Sequence, residues 1–421
     1  MIERAAGDNA SPLLAAGLGC LIAIFLVLRL PVQAGVAFLA AAIAILVFFN
    51  RRAALYFIIP AMALSPELPV LGIPVGIDDF LMVPLVAGWL AHLCVFKGRQ
   101  RTPLDRVVVA YLLVGVLATL WGAHLGTAHW TTNKDISSPF HLLKRLEFLL
   151  VFFILVDTLT TANEARHFAY VLIASMVGVS LFGLGSFLSN HVMALRPGVS
   201  AHEAGVASMI AAPLALSLIP AGKPSARILL GAAVAFSIAV LPLSLGRNFI
   251  AVTGLIVLYV ALFQQRWALL LLPIFLIGLY LYPSHITERV LSFQYAFHPG
   301  PEAVQADAAA LVYRADPIKH WLGLTLAYSP VLGFGLASVP LSFIDSEYGV
   351  QLAYTGLTGL AVFLLLGVRL FRLAKQATMA AHSVRDAGLA RGLQLVLVAY
   401  AIYSVFASSV SPTHVGEFIF V

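Results

Sequence analysis

One set of basic residues stands out by its place between apolar runs: Lys134, Lys144, Arg145, Arg196, Arg247, Arg289, Arg314 and Lys319. The other clusters are Arg51-Arg52, the stretch from Lys97 to Arg106, Arg166, Lys223 with Arg227, Arg266, and Arg369, Arg372, Lys375, Arg385 and Arg391. These occupy alternate connections, as a helical bundle obeying the positive-inside rule would have them, and they mark the cytoplasmic side together with the N-terminus. The first set therefore lies on the outer side, against the rule, and gathers beside the longest polar stretch. Guanidinium and ammonium groups at a membrane face suit phosphate, and arginine's planar fork can hold phosphate oxygens bidentately. The chemistry suggested is recognition of a phosphate-bearing substrate at the outer face.

Individual positions carry this reading unequally. Arg247 sits in Leu243-Ser244-Leu245-Gly246-Arg247-Asn248, in a turn too short to carry it far from the membrane surface. It is either a snorkelling interface anchor or a pyrophosphate clamp reached from the outer leaflet. In Tyr313-Arg314-Ala315-Asp316-Pro317-Ile318-Lys319-His320-Trp321, Asp316 can cap a helix with Pro317 at its first position. Arg314 then projects toward the membrane surface or pairs with Asp316. His320 is a candidate base or an interfacial residue beside Trp321. Ile344-Asp345-Ser346-Glu347-Tyr348-Gly349 puts two carboxylates at the outer mouth of the next span. They act there as helix caps or as the general base that activates a hydroxyl. His141, Lys144, Arg145 and Glu147 open the sixth span, and Arg196, His202 and Glu203 flank the eighth. Each of these pairs can be structural, yet together they add basic charge to one face.

The elements that must position these residues are membrane helices. The 421-residue chain is 61% hydrophobic and 10% charged, against roughly a quarter charged in a soluble domain. Apolar runs of spanning length fall at 12–30, 33–50, 53–66, 79–96, 107–124, 143–160, 168–188, 204–221, 227–245, 248–264, 267–282, 350–371 and 392–410, about thirteen spans. A fourteenth begins near Glu417 if the chain continues. The first run is too long for a cleavable signal and reads as a signal anchor. The expected fold class is an all-α polytopic bundle in three parts. Residues 1–282 form an N-terminal transmembrane bundle, 283–349 a long outer loop, and 350–421 the C-terminal helices. The loop carries an amphipathic helix over about 309–328, broken by Pro330, Gly333 and Gly335. Net charge +6 is spread over short loops rather than a basic domain, which excludes nucleic acid as a partner. Cys20 and Cys94 fall in separate spans, so neither a disulfide nor a metal-ligand spacing is expected. No internal repeat is visible, which counts against a secondary transporter. Asp157, near the cytoplasmic end of the sixth span, is the one intramembrane charge that would favour transport.

Several of these residues also carry a resemblance. The run Arg314 … Ser329-Pro330-Val331-Leu332-Gly333-Phe334-Gly335 … Asp345-Ser346-Glu347-Tyr348 … Gly356-Leu357-Thr358-Gly359-Leu360 resembles the signature of the O-antigen ligase and O-antigen polymerase superfamily. That signature is an arginine, a proline–glycine turn, a short polar motif and a Gly-x-x-Gly helix. The segment from Ser244 to Leu255 is similar to the family's serine–arginine element, with Arg247 in the arginine position. Where the family's ligases commonly have His-Asn, this chain has Asp345-Ser346, which leaves Asp345 as the positional substitute for the base. Tyr354 stands where a glutamate is often found.

The resemblance implies a metal-independent, inverting membrane glycosyltransferase of the GT-C type, without cofactor, at the periplasmic face of the bacterial cytoplasmic membrane. Its implied substrate is an undecaprenyl-diphosphate-linked glycan donor together with a glycan acceptor, and a chain-length regulator and a flippase are implied partners. Arg247 and Arg314 would bind the diphosphate, assisted by Arg196, Lys144 and Arg145. Asp345 or His320 would be the base, with Glu347, Tyr348 and Lys319 as further candidates. Polymerisation of repeat units is the leading expectation. Ligation to a lipid A-core or other acceptor is the alternative, a secondary transporter or flippase is the rival from another class, and a structural or assembly role comes last.

Overall fold

The computed structural model describes residues 43–64, 68–70, 73–75, 77–96, 99–127, 138–190, 194–195, 199–241, 247–264, 266–271, 273–274, 319–336, 338 and 346–406. Within them the chain is a helical bundle. Its long helices are α1 (Arg51–Leu64), α2 (Ile77–Phe96), α3 (Asp105–His124), α4 (Ser138–Thr158), α5 (Ala162–Asn190), α6 (Ala201–Leu218), α7 (Pro224–Val240), α8 (Arg247–Phe263), α9 (Glu347–Ala380) and α10 (Val384–Phe406). Each coincides with an expected apolar run. Among the described residues six segments are long and apolar enough to cross a membrane: Asp78–Val95, Asp105–His124, Ala162–Gly185, Ala204–Ala221, Glu347–Ala380 and Val384–Val405. The expected span at 12–30, most of those at 33–50 and 267–282, and the outer loop up to residue 318 lie outside the described residues. Of the expected amphipathic helix, residues 319–328 are described and are helical; the helix stops before Pro330, as the turn residues require.

Two short antiparallel hairpins interrupt the helical pattern. One pairs β1 (Leu68–Val70) with β2 (Ile73–Val75), and the other pairs β3 (Ala194–Leu195) with β4 (Val199–Ser200). Their apolar alternation is too short to stand out beside the spanning runs.

Helix α6 is the hub and packs against α5, α7, α8 and α10. Its sequence, Ala-His-Glu-Ala-Gly-Val-Ala-Ser-Met-Ile-Ala-Ala-Pro-Leu-Ala-Leu-Ser-Leu, is rich in small residues. Small side chains let helix backbones approach closely where no water drives association. Gly205 shows the effect, because the Phe249 ring of α8 fills the space a side chain would need. Phe249 in turn stacks on Tyr403 of α10 at 4.8 Å.

Polar contacts gather at one end of the bundle. Arg52 pairs with Glu164 at 2.8 Å, Arg99 with Asp105 at 2.6 Å and Arg166 with Asp386 at 3.9 Å. Arg385 donates to the Ala221 carbonyl at 2.9 Å. The first turns of α1, α5 and α10 thus meet near the end of α6. These basic residues belong to the set that the sequence put on one side.

Candidate functional site

Helix α9 is broken at Gly356, and the Ser329–Gly335 turn meets it there. Gly356 has φ +65° and ψ −168°, a conformation open essentially to glycine alone. The ring centroids of Tyr348 and Phe363 lie 6.1 Å apart. In one straight helix, positions that far apart in sequence would be separated by about 22 Å. The two limbs of α9 therefore fold back toward each other. The broken backbone groups are satisfied by the turn that the sequence marked at Ser329–Gly335. Phe334 and Gly335 amides donate to the carbonyls of Ala353 and Tyr354 at 2.9 and 3.0 Å. In return, Leu357 and Thr358 amides donate to the carbonyls of Pro330 and Val331 at 2.8 and 3.3 Å. Gly333, at φ +67°, passes so close that a Cβ there would lie 2.6 Å from the Ala353 oxygen. Turn and kink form one joint, each closing the other's open hydrogen bonds.

The joint is fastened to α3. Trp121 donates its indole N–H to Ser329 Oγ at 2.8 Å, and Ser329 donates to the Gly333 carbonyl at 2.6 Å. Thr127 donates to the Phe334 carbonyl at 2.7 Å.

Beside the joint lies a buried polar layer. Arg145 of α4 is 8% exposed. Its Nη2 reaches Gln351 Oε1 at 3.4 Å, and its guanidinium carbon lies 5.1 Å from the Tyr111 ring centroid. Nη1 is buried without a hydrogen-bond partner among the described residues. No carboxylate among them lies within ion-pair distance of this guanidinium. Gln351 also accepts from Tyr111 Oη at 3.2 Å and donates from Nε2 to Glu347 Oε1 at 2.7 Å. Glu347 and Gln351 stand one helical turn apart on the first limb of α9 and are fully buried.

The depth of this layer differs from expectation. Arg145 Nη1 comes within 3.8 Å of where a Cβ of Gly115 would be. Gly115 is near the middle of α3, a 20-residue helix about 30 Å long. Glu347 was expected at the outer mouth of its span. Through Gln351 and Tyr111 it is instead level with the interior of α3.

Lys144, next along α4, faces the other way. It pairs with Asp79 of α2 and lies 3.2 Å from Glu147. Asp78, Asp79 and Glu147 place carboxylate oxygens within 4.8 Å of one another, a grouping that could hold a cation. The Lys144 ammonium already stands among these oxygens, so the arrangement is an ion-pair cluster that locks α4 against α2.

The remaining sequence candidates divide plainly. Arg196, Arg314 and Asp345 lie outside the described residues; Arg247 is the first residue of α8, and its side chain lies outside them too. Lys319 and His320 are exposed at the start of the 319–328 helix. The His320 ring meets Trp321 edge-on at 5.7 Å, and Trp321 meets Phe334 of the turn at 6.4 Å. No described contact joins His320 to Arg145 or Glu347. Tyr348 donates its phenol O–H to the Ala401 carbonyl at 3.0 Å and so ties α9 to α10. Asp157 accepts from Trp89 Nε1 at 2.8 Å and from the Gln100 amide at 2.9 Å. It thus bridges the end of α4 to α2 and to the segment before α3. Gln351 and Tyr111 were missed; the legible signal was the Glu347–Gln351 spacing of four at the start of the helix.

From Tyr348 a cavity of about 540 Å³ runs between α9 and α10, lined mainly by apolar residues such as Phe363, Leu366 and Leu397, with Arg372 and Lys375 at its far part. No protein-family model matches the chain, and no curated protein matches it.

Proposed function

We propose that the protein polymerises undecaprenyl-diphosphate-linked oligosaccharide units into a surface polysaccharide, at the periplasmic face of the bacterial cytoplasmic membrane. The observation that carries this reading is Arg145. A guanidinium that is 8% exposed, with one buried nitrogen unpartnered among the described residues, is expensive to keep in a bundle unless an anion completes it. It shares Gly115 with Leu336, which closely follows the signature turn, so the candidate anion site and the turn–kink joint are neighbours.

In this reading the acceptor hydroxyl attacks the anomeric carbon of the donor. The bond from that carbon to the phosphate oxygen breaks, and the hydroxyl proton passes to a carboxylate or to His320. The electron pair of the broken bond leaves on the lipid diphosphate, where Arg145, Arg247 and Arg314 neutralise the developing charge. Asp345 remains the leading base by its place in the resemblance, and Glu347, joined to Arg145 through Gln351, is a further candidate. The apolar cavity between α9 and α10 suits a polyprenyl chain. Ligation to a lipid acceptor uses the same chemistry with a different nucleophile.

A second reading draws on a specific observation. Arg145 and Glu347 lie level with the interior of α3, and buried charges near the middle of a span are the mark of a transport pathway. A transporter or flippase would move lipid-linked units across the bilayer without lengthening them. The test is polymer output in a null strain carrying Arg145→Ala, Arg247→Ala or Arg314→Ala at equal protein levels. Loss of polymer with accumulation of single lipid-linked repeat units outside the membrane supports the polymerase. Intact polymer from all three variants overturns it.

A further inference from the structure

The three side chains Arg145, Gln351 and Glu347 stand in line, with the glutamine amide in the middle. A direct Arg–Glu contact would be bidentate and would occupy two guanidinium donors. Here Gln351 takes the carboxylate on its NH₂ side at 2.7 Å and presents its oxygen to Arg145 and Tyr111 on the other. An amide has no other way to serve one acceptor and two donors, so these partners fix its orientation. Among the described residues Arg145 thus keeps a single long side-chain hydrogen bond of 3.4 Å, and its Nη1 has no partner among them. Gly115 faces Nη1, and a Cβ there would lie 3.8 Å from it and 3.9 Å from Leu142 and Leu336.

We propose that Gln351 is a positioning residue for an anion site: it orients Arg145 and keeps Glu347 from pairing with it, so that the guanidinium stays available to a diphosphate. This rests on the diphosphate reading of Arg145 given above. Gln351 itself touches no reacting atom. It acts by separating a cation from a carboxylate that lies on its own helix, one turn away.

The test measures binding of undecaprenyl diphosphate, and separately of inorganic pyrophosphate, to the purified full chain in lipid nanodiscs. Gln351→Leu keeps the side-chain size and removes both polar ends. It should weaken binding by about tenfold or more, the size expected for loss of a hydrogen bond to a charged group together with capture of the arginine. Adding Glu347→Gln to Gln351→Leu removes the capturing carboxylate and should restore binding to within about threefold of the parent, a recovery that no merely structural role predicts. Binding of the lipid probe alone identifies a membrane-anchored diphosphate, and equal binding of both probes identifies a free one; either supports the site. A Gln351→Leu protein that binds as tightly as the parent overturns the inference, as does failure of the second substitution to rescue. A structure of Gln351→Leu bound to an antibody fragment gives a ligand-free readout, in which Arg145 and Glu347 should touch directly. If they touch while the parent binds neither probe, the positioning role stands and the diphosphate reading falls.

Discussion

Replacing Gly356 by alanine tests the joint between the signature turn and the broken helix. Alanine at φ +65° and ψ −168° is strained by about 1–3 kcal/mol. Its Cβ would also overlap the carbonyl of Val331 and lie 2.6 Å from the Leu332 amide nitrogen, both backbone atoms that cannot rotate away. The alternative is for α9 to straighten, which breaks the backbone hydrogen bonds from Phe334, Gly335, Leu357 and Thr358 across the joint. Each is worth about 0.5–1.5 kcal/mol net, offset in part by about 1 kcal/mol from alanine's better helix propensity and by the helical bonds regained. Either route destabilises by about 2–5 kcal/mol, which is a large fraction of an ordinary folding free energy. The assay is thermal unfolding of the detergent-solubilised protein, followed by size-exclusion chromatography after heating. Gly367→Ala is the control, because it lies on the same helix and a Cβ there meets nothing within 4 Å. Gly356→Ala should lower the midpoint by about 2–6 °C, and Gly367→Ala should leave it unchanged or slightly raised. If both variants melt together with the parent, the joint does not hold the two limbs in place and the reasoning fails.

Two further outcomes follow from single contacts. Asp157→Asn leaves one acceptor oxygen for two donors, Trp89 and the Gln100 amide, and should cost about 1–2 kcal/mol of stability, read as a lower midpoint, with polymer output per folded molecule unchanged; lost output at normal stability would return Asp157 to a functional role. Gly205→Ala drives a methyl into the Phe249 ring and should destabilise by about 1–3 kcal/mol, with a thermal midpoint equal to the parent's refuting the close packing of α6 on α8.

The helices were legible because length and hydropathy alone mark a span. Arg52, Arg166 and Arg385, which the sequence put on one side, pair with neighbouring helix ends at one end of the bundle. The Ser329–Gly335 turn was legible as a turn, since proline and glycine punctuate the run. Its partner was not, because hydrogen bonds from a turn to a helix break eighteen or more residues away leave no local pattern. Gly356 reads equally well as a packing glycine in a continuous span, and only the backbone shows that the helix ends there and restarts. Arg145 was legible as one of several basic residues at a helix start. Its depth was not, because where a helix begins relative to its neighbours depends on packing that sequence periodicity does not encode. Glu347 was read as a capping carboxylate at a surface for the same reason. It does open its helix, next to the Ser346 cap, but that helix begins inside the bundle.

The most direct test of the central claim is glycan transfer by the purified protein in lipid, without nucleotide sugars or added metal. The substrate is undecaprenyl-diphosphate-linked repeat units extracted from the host, with products resolved by length. The account predicts a ladder of lengthened lipid-linked glycans from the parent chain and none from Arg145→Ala. It is contradicted if a verified substrate is neither lengthened nor transferred to an added lipid acceptor while the same protein carries it across the bilayer.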